Sequence, residues 1–168
     1  MLHAGQKAPI QLERVYEASV EELWDLWTTK EGLEEWFAPT GCRLEMTVLE
    51  VRDGGAFEHT AVAVSAEAIA YHEREGRSPT ARVRGTFVEV RPYQRLHLRF
   101  AMDFLPGVEP YPYDMLVELF PEGGSVRMVV KAEQHRQADV TRLAAQVLGQ
   151  QLDVFATALT TRRRGADR

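Results

Sequence analysis

The sequence predicts an antiparallel α+β domain, a curved sheet of seven strands wrapped around a long C-terminal helix, with two short helices after strand one. Three observations carry this. All three tryptophans fall in Ser19 to Pro39, which reads as two short helices in series. Between Cys42 and Glu133 the chain divides into β-type runs that pair as three hairpins. From about Gln137 to Arg163, apolar residues keep a helical period for roughly seven turns.

Taken in order, Ile10 to Ala18 is the first strand, through Ile10, Leu12, Val15 and Tyr16. Ser19 and Glu22 form a capping box: the serine oxygen accepts from a free backbone N–H and the glutamate reaches back to the cap. Val20, Leu23, Trp24 and Trp27 then share one helical face, while Glu21 and Glu22 sit in the first turn, where the helix dipole favours them. A second helix from about Lys30 to Phe37 stops before Pro39 and presents Leu33, Trp36 and Phe37 on one side. In Cys42 to Val51, Leu44, Met46 and Val48 alternate with Arg43, Glu45 and Thr47; Asp53-Gly54-Gly55 then turns the chain into Ala56 to Val64. Ser65 to Thr80 suits either a short helix or an extension of that hairpin, with Gly76, Ser78 and Pro79 marking a loop.

Val83 to Arg91 and Arg95 to Phe104 make the second hairpin, around Pro92-Tyr93-Gln94. Leu96, Leu98, Phe100 and Met102 alternate there with Arg95, His97 and Arg99, so His97 is expected to face solvent. A proline-rich loop, Pro106 to Pro112, leads to the third hairpin, Tyr113 to Phe120 and Ser125 to Glu133, around Pro121-Glu122-Gly123-Gly124. The closing helix carries Val140, Leu143, Ala144, Val147, Leu148, Leu152, Phe155 and Leu159 as one stripe, with Gly149 as a candidate bend.

Composition narrows the function. At 168 residues, one domain spanning 1–168 is expected. A net charge of -5 argues against a general nucleic-acid binder, and the one basic cluster, Arg162 to Arg164, suits the end of a helix, where cations complement the dipole. Cys42 is the only cysteine, which forbids an intrachain disulfide or a cysteine-based zinc site and suits a reducing cytoplasm. Met1 to Pro9 lacks the apolar core of a signal peptide, and no run of about 18 apolar residues is present to span a membrane.

Five motifs in fixed order carry a family resemblance. They are Arg14-Val15-Tyr16-Glu17-Ala18-Ser19 with Val20-Glu21-Glu22-Leu23-Trp24, Leu33-Glu34-Glu35-Trp36-Phe37-Ala38-Pro39, Asp53-Gly54-Gly55-Ala56-Phe57, Gly85-Thr86-Phe87-Val88-Glu89-Val90, and Pro92-Tyr93-Gln94-Arg95-Leu96. The chain resembles the START-like superfamily, also called SRPBCC or birch-pollen-allergen-like, and within it the family named after the activator of the heat-shock protein 90 ATPase. The resemblance implies a helix-grip fold with a cavity between sheet and long helix that holds an apolar or amphipathic small molecule. It implies no defined catalytic constellation and no cofactor. It leaves open a homodimer, a protein-interaction role on a chaperone such as heat-shock protein 90, and a polyketide cyclase-type enzyme. Two departures stand out: Gly149 is followed by Gln150 where many relatives carry Gly-Trp, and Ser65 to Thr80 looks longer than the usual link.

The residues themselves point the same way. No two of the five histidines share the i, i+4 spacing that would aim both at a metal, so no metal site is expected. His59 shares a strand face with Phe57 and is a candidate cavity residue, whether as a base or as a group that positions a carbonyl. Glu89 is placed by alternation with Phe87 and Gly85, where it would need a partner such as Arg14. Neither a nucleophile elbow nor a phosphate-binding glycine loop nor a dinucleotide fingerprint is present. The candidate cavity wall is Trp36 and Phe37 from the helix pair; Phe57, His59, Phe87, Met102, Met115, Val117, Met128 and Val130 from strands; and Leu148, Leu152 and Phe155 from the long helix. The same residues at the same periods would equally build a filled core.

Overall fold

The computed structural model describes residues 8–168; His3 and most of the Met1 to Pro9 stretch lie outside the described residues. The chain runs β1 (Ile10–Tyr16), α1 (Val20–Thr28), α2 (Lys30–Trp36), β2 (Cys42–Leu49), β3 (Ala56–Ala63), α3 (Ala66–Arg74), β4 (Thr80–Arg91), β5 (Arg95–Met102), β6 (Tyr111–Glu122), β7 (Ser125–Ala132) and α4 (Ala138–Ala166). All strand pairs are antiparallel, in the order β1-β7-β6-β5-β4-β3-β2. The sheet curls into a half-barrel, and α4 lies along its concave side in a helix-grip arrangement. β1 joins β7 rather than β2 because the α1–α2 pair carries the chain across the end of the sheet.

Local chemistry sets these elements. The capping box is formed in full: Ser19 Oγ accepts from the Glu22 N–H, and the Ser19 N–H donates to the Glu22 carboxylate at 2.7 Å. Thr29 ends α1 and also caps α2, accepting from the Gly32 N–H. The helix pair is then clamped by α4. Trp36 Nε1 donates to the Leu26 carbonyl at 2.8 Å, Arg162 reaches both Asp25 and Glu35, and Arg163 reaches Glu22. Two of the three arginines at the end of α4 therefore hold the helix pair across space.

Two β-bulges overturn strict alternation. One at Thr47 puts Val48 opposite Glu58 and Leu49 opposite Phe57, so Leu49, and not Val48 as the period predicted, joins the core. The other, at Val88, puts Glu89 opposite His97 on the convex face. Glu89 there meets Arg91 and Arg95, and the expected inward carboxylate with Arg14 as partner does not form.

His97 corrects the sequence reading more sharply. It is only 5% exposed although it lies on the convex face. Its Nε2–H donates to Asp114 Oδ2 at 2.9 Å, and Arg99 grips the same carboxylate with two hydrogen bonds of 2.8 and 2.9 Å. Glu133 accepts from the Asp114 N–H. Burial acts to raise the Asp114 pKa, but the hydrogen bonds from Arg99 and His97 outweigh it and hold the carboxyl below its ordinary value. A buried charge is tolerated only when paired in this way, and this pairing carries His97 inside.

The segment left open by sequence is α3. Ser65 caps it by accepting from the Ala68 N–H, and Gly76, at φ +66, ends it as the Arg77 N–H bonds back to the His72 carbonyl. Its start is docked by Gly41 (φ +80), whose carbonyl accepts from the N–H groups of Val64 and Ser65. A Cβ on Gly41 would lie 2.4 Å from Ser65 Oγ, so the contact needs glycine twice over.

Candidate functional site

The interior of the grip is filled at one end and open at the other. At the filled end Trp36 is the hub: its ring lies 4.5 Å from Trp27, 4.8 Å from Phe155 and 5.2 Å from Phe37, edge to face. Trp27 Nε1 donates to Met128 Sδ at 3.2 Å. Phe57, Phe87, Val117, Met128, Val130, Leu152 and Phe155 are all fully buried in this packed region, and none of them borders the cleft. Of the candidate wall residues, these seven and Trp36 belong to the filled core.

The open end lies between α3, the first half of α4 and strands β3 to β5. A cleft of about 810 Å³ opens there, and a smaller recess of about 220 Å³ adjoins it. Phe37, His59, Val83, Phe104, Val147 and Gln151 border both. The recess ends against Met102, Tyr113, Met115 and Leu148. The structure thus brings Phe37, His59, Met102, Met115 and Leu148 together, out of the candidate wall.

Sequence reasoning missed the other side of the cleft. Tyr71, His72 and Arg77 come from α3 and the turn after it, Pro39 and Thr40 from the link into β2, and Cys42 from the first position of β2. The helix alternative for Ser65 to Thr80 was the available signal, but no periodicity told which face of so polar a helix turns inward. Leu143, Ala144 and Val147 did carry a signal, since they continue the α4 stripe. They are not buried: the buried residues of α4 begin at Leu148, and Leu143 is 36% exposed.

His59 sits where the two ends meet. Phe37 and Phe57 flank it edge to face at 5.7 and 5.8 Å, it is 5% exposed, and its Nδ1 has no hydrogen-bond partner. Burial lowers its pKa from 6.5 to about 4, so the ring is neutral at neutral pH and offers one donor and one acceptor. Among the described residues no carboxylate hydrogen-bonds to it, so the dyad that a histidine general base would use is not assembled in this geometry. At the far side His135 stacks on Tyr113 at 4.2 Å and shares a 2.6 Å hydrogen bond with the Tyr111 hydroxyl; burial lowers its pKa too. No group of three or more His, Cys, Asp or Glu side chains that could hold a metal occurs among the described residues, and none of their helices is long and apolar enough to cross a membrane.

These features bear comparison with known proteins. The sequence model of the family described as activator of Hsp90 ATPase homolog 1-like protein matches residues 17–160. The chain belongs to this family. Solved structures of the same fold include a protein from Chromobacterium violaceum, 18% identical, which covers 90% of this chain and 96% of its own with a TM-score of 0.72. A protein from Nitrosomonas europaea is 20% identical, with coverage of 94% and 97% and a TM-score of 0.69. A protein of the family from Silicibacter pomeroyi is 17% identical, with coverage of 92% and 99% and a TM-score of 0.69. Identities this low speak for the fold alone. No curated protein matches the chain. In this member of the activator of Hsp90 ATPase homolog 1-like family, both departures read from sequence fall on the cleft. Gln150 borders it and accepts from Thr40 Oγ1 at 3.0 Å, and the Ser65 to Thr80 segment forms a wall.

Proposed function

We propose that the protein binds an apolar or amphipathic small molecule in the cleft between α3, α4 and strands β3 to β5. One observation carries the reading: the apolar stripe of α4 continues through Leu143, Ala144 and Val147, which border the cleft and its recess, yet the buried residues of the helix begin only at Leu148. Apolar surface left facing a cavity of this size gains free energy when a ligand covers it, at roughly 25 cal/mol per Å² removed from water. His59 supports the same reading, since a buried ring nitrogen without a partner gains a hydrogen bond from a ligand hydroxyl or carbonyl. The reading assumes a reducing cytoplasm, in keeping with the lone, half-buried Cys42.

The test is a thermal-melt panel of lipids, aromatic polyketides and hormone-like acids on the wild type and on Val147→Trp, which fills the cleft. A ligand at a hundred times its Kd stabilises the native state by about 2.7 kcal/mol, a shift of several degrees. Hits on the wild type that vanish in Val147→Trp support binding in the cleft. Hits that persist unchanged in the variant place the ligand elsewhere and remove the reading.

A second reading, a protein-interaction role on a chaperone, is favoured by the family description, which names the Hsp90 ATPase. It expects the purified protein to raise the chaperone's ATPase rate and Val147→Trp to leave that effect intact. An unchanged rate removes it.

A further inference from the structure

We infer that the cleft takes an amphipathic monocarboxylate, held by Arg77 at its charged end and by the apolar recess at its other end; this rests on the small-molecule reading above. Gly76 ends α3 and reverses the chain, which brings Arg77 into the cleft wall beside Tyr71 and His72. Its guanidinium carbon lies 5.8 Å from the Tyr71 ring centroid, a cation–π contact that holds the group in place but uses none of its N–H donors. The Arg77 Nε is buried and has no acceptor.

The other charged groups of the cleft leave this position to an incoming anion. Arg82 is engaged with Glu58 at 2.8 Å. His72 donates its Nδ1–H to the Ala68 carbonyl at 2.7 Å. Glu67, the one acidic side chain of the lining, is exposed at the first turn of α3. The half-buried charge of the cleft is therefore a cation whose buried donor lacks an acceptor. A carboxylate answers it because a guanidinium fork pairs with that geometry through two hydrogen bonds. Between head and tail, the unpartnered His59 Nδ1 suits a ligand that carries a hydroxyl or carbonyl part-way along.

Isothermal titration with decanoate, decan-1-ol and decyltrimethylammonium, which share a tail length and differ in the head, tests this. We expect decanoate to bind the wild type at least about tenfold more tightly than decan-1-ol, as one charge-assisted pair provides, and the cation to bind weakest. Arg77→Gln should bring decanoate to within about threefold of decan-1-ol while leaving the alcohol's Kd unchanged, and Arg77→Lys should restore part of the preference. On the wild type, raising salt from about 50 to about 500 mM should weaken decanoate several-fold and spare the alcohol, which checks the charge without any substitution. Equal affinities for acid and alcohol, or a preference that survives Arg77→Gln, overturn the role of Arg77 and leave the cleft as an apolar binding site. Failure of all three probes to bind overturns this inference, while the small-molecule reading is then decided by the melt panel on the wild type and Val147→Trp.

Discussion

The two halves of α4 are built from similar residues and meet different surroundings. From Leu148 to Leu159 its apolar stripe packs against the helix pair and the strands, with Phe155 set between Tyr16 and Trp36 at 5.2 and 4.8 Å. From Leu143 to Val147 the same stripe faces the cleft and its recess, and none of its residues is buried. The difference lies in what the rest of the chain brings opposite. Trp27 and Trp36 supply large rings at one end, with Phe37 reaching from them to the cleft, whereas the other end is roofed by α3, which lines it with Glu67, Ala68, Tyr71 and His72. Trp27 and Trp36 with Phe155 of α4 make an anchor, and α3 makes a thin wall over space. Stability should therefore reside at the first end and binding at the second.

The largest effect expected from this contrast is at the anchor. Phe155→Ala removes a fully buried ring that touches Tyr16, Trp27 and Trp36, and should cost about 3–5 kcal/mol in urea denaturation. A loss below about 1 kcal/mol would mean that the anchor is not where the stability resides.

The next concerns the boundary, at His59. Its folded-state pKa, lowered by burial to about 4, lies below the 6.5 of an ordinary histidine, so the unfolded chain takes up a proton between those values while the folded protein does not. Stability is thus full above pH 6.5 and falls as pH drops through the window to about 4, by up to roughly 3 kcal/mol at 1.36 kcal/mol per pKa unit. His135 acts in the same direction. Unfolding free energies at pH 7 and 4.5 for the wild type and His59→Gln isolate the His59 share: the variant should show the smaller drop, and equal drops would refute the assignment.

At the open end the ordering reverses. Val147→Trp should change stability by less than about 1 kcal/mol, because the new ring enters existing space rather than a packed core, where overpacking costs about 1–3 kcal/mol. It should nevertheless abolish ligand-induced melting shifts. A large destabilisation would show the cleft to be closed in solution. Gly41→Ala sharpens the same point from the other wall: it strains a residue at φ +80 and crowds Ser65, so it should loosen α3 and weaken ligand binding while the Trp36 cluster keeps its near-ultraviolet circular dichroism.

How far the sequence could be read follows the same division. Capping chemistry and period made Ser19 to Pro39 and the α4 stripe legible, because each is a local rule with residues to spare: Ser19 and Glu22 satisfy each other, and eight apolar positions mark one face. Strand runs were legible too, but not their faces beyond a bulge. One extra residue at Val88 turned Glu89 outward and one at Thr47 exchanged Val48 for Leu49, and no local pattern announces either. His97 was unreadable for a different reason, since its burial depends on Asp114, which is distant in sequence. The candidate wall mixed cleft and core because periodicity reports which side chains turn inward and is silent on whether anything meets them. Met115 and Met128 are both inward on neighbouring strands; one borders the recess and the other lies beneath Trp27.

The smallest prediction tests whether the two halves of α4 are mechanically separate. Gly149 falls at their junction, between Val147, which faces the cleft, and Leu152, which is buried, and the helix runs through it without interruption. A Cβ built there meets nothing within 4 Å, so alanine is sterically free. Gly149→Ala should then stabilise the protein by about 0.5–1 kcal/mol, raising the melting midpoint by roughly one to four degrees, because it reduces the freedom of the unfolded chain without touching a contact. If the halves act as one rigid rod, ligand affinity stays within about twofold. If affinity falls while stability rises, ligand entry requires the first half of α4 to swing about Gly149, and the anchor and the wall are joined by a hinge rather than by a continuous helix.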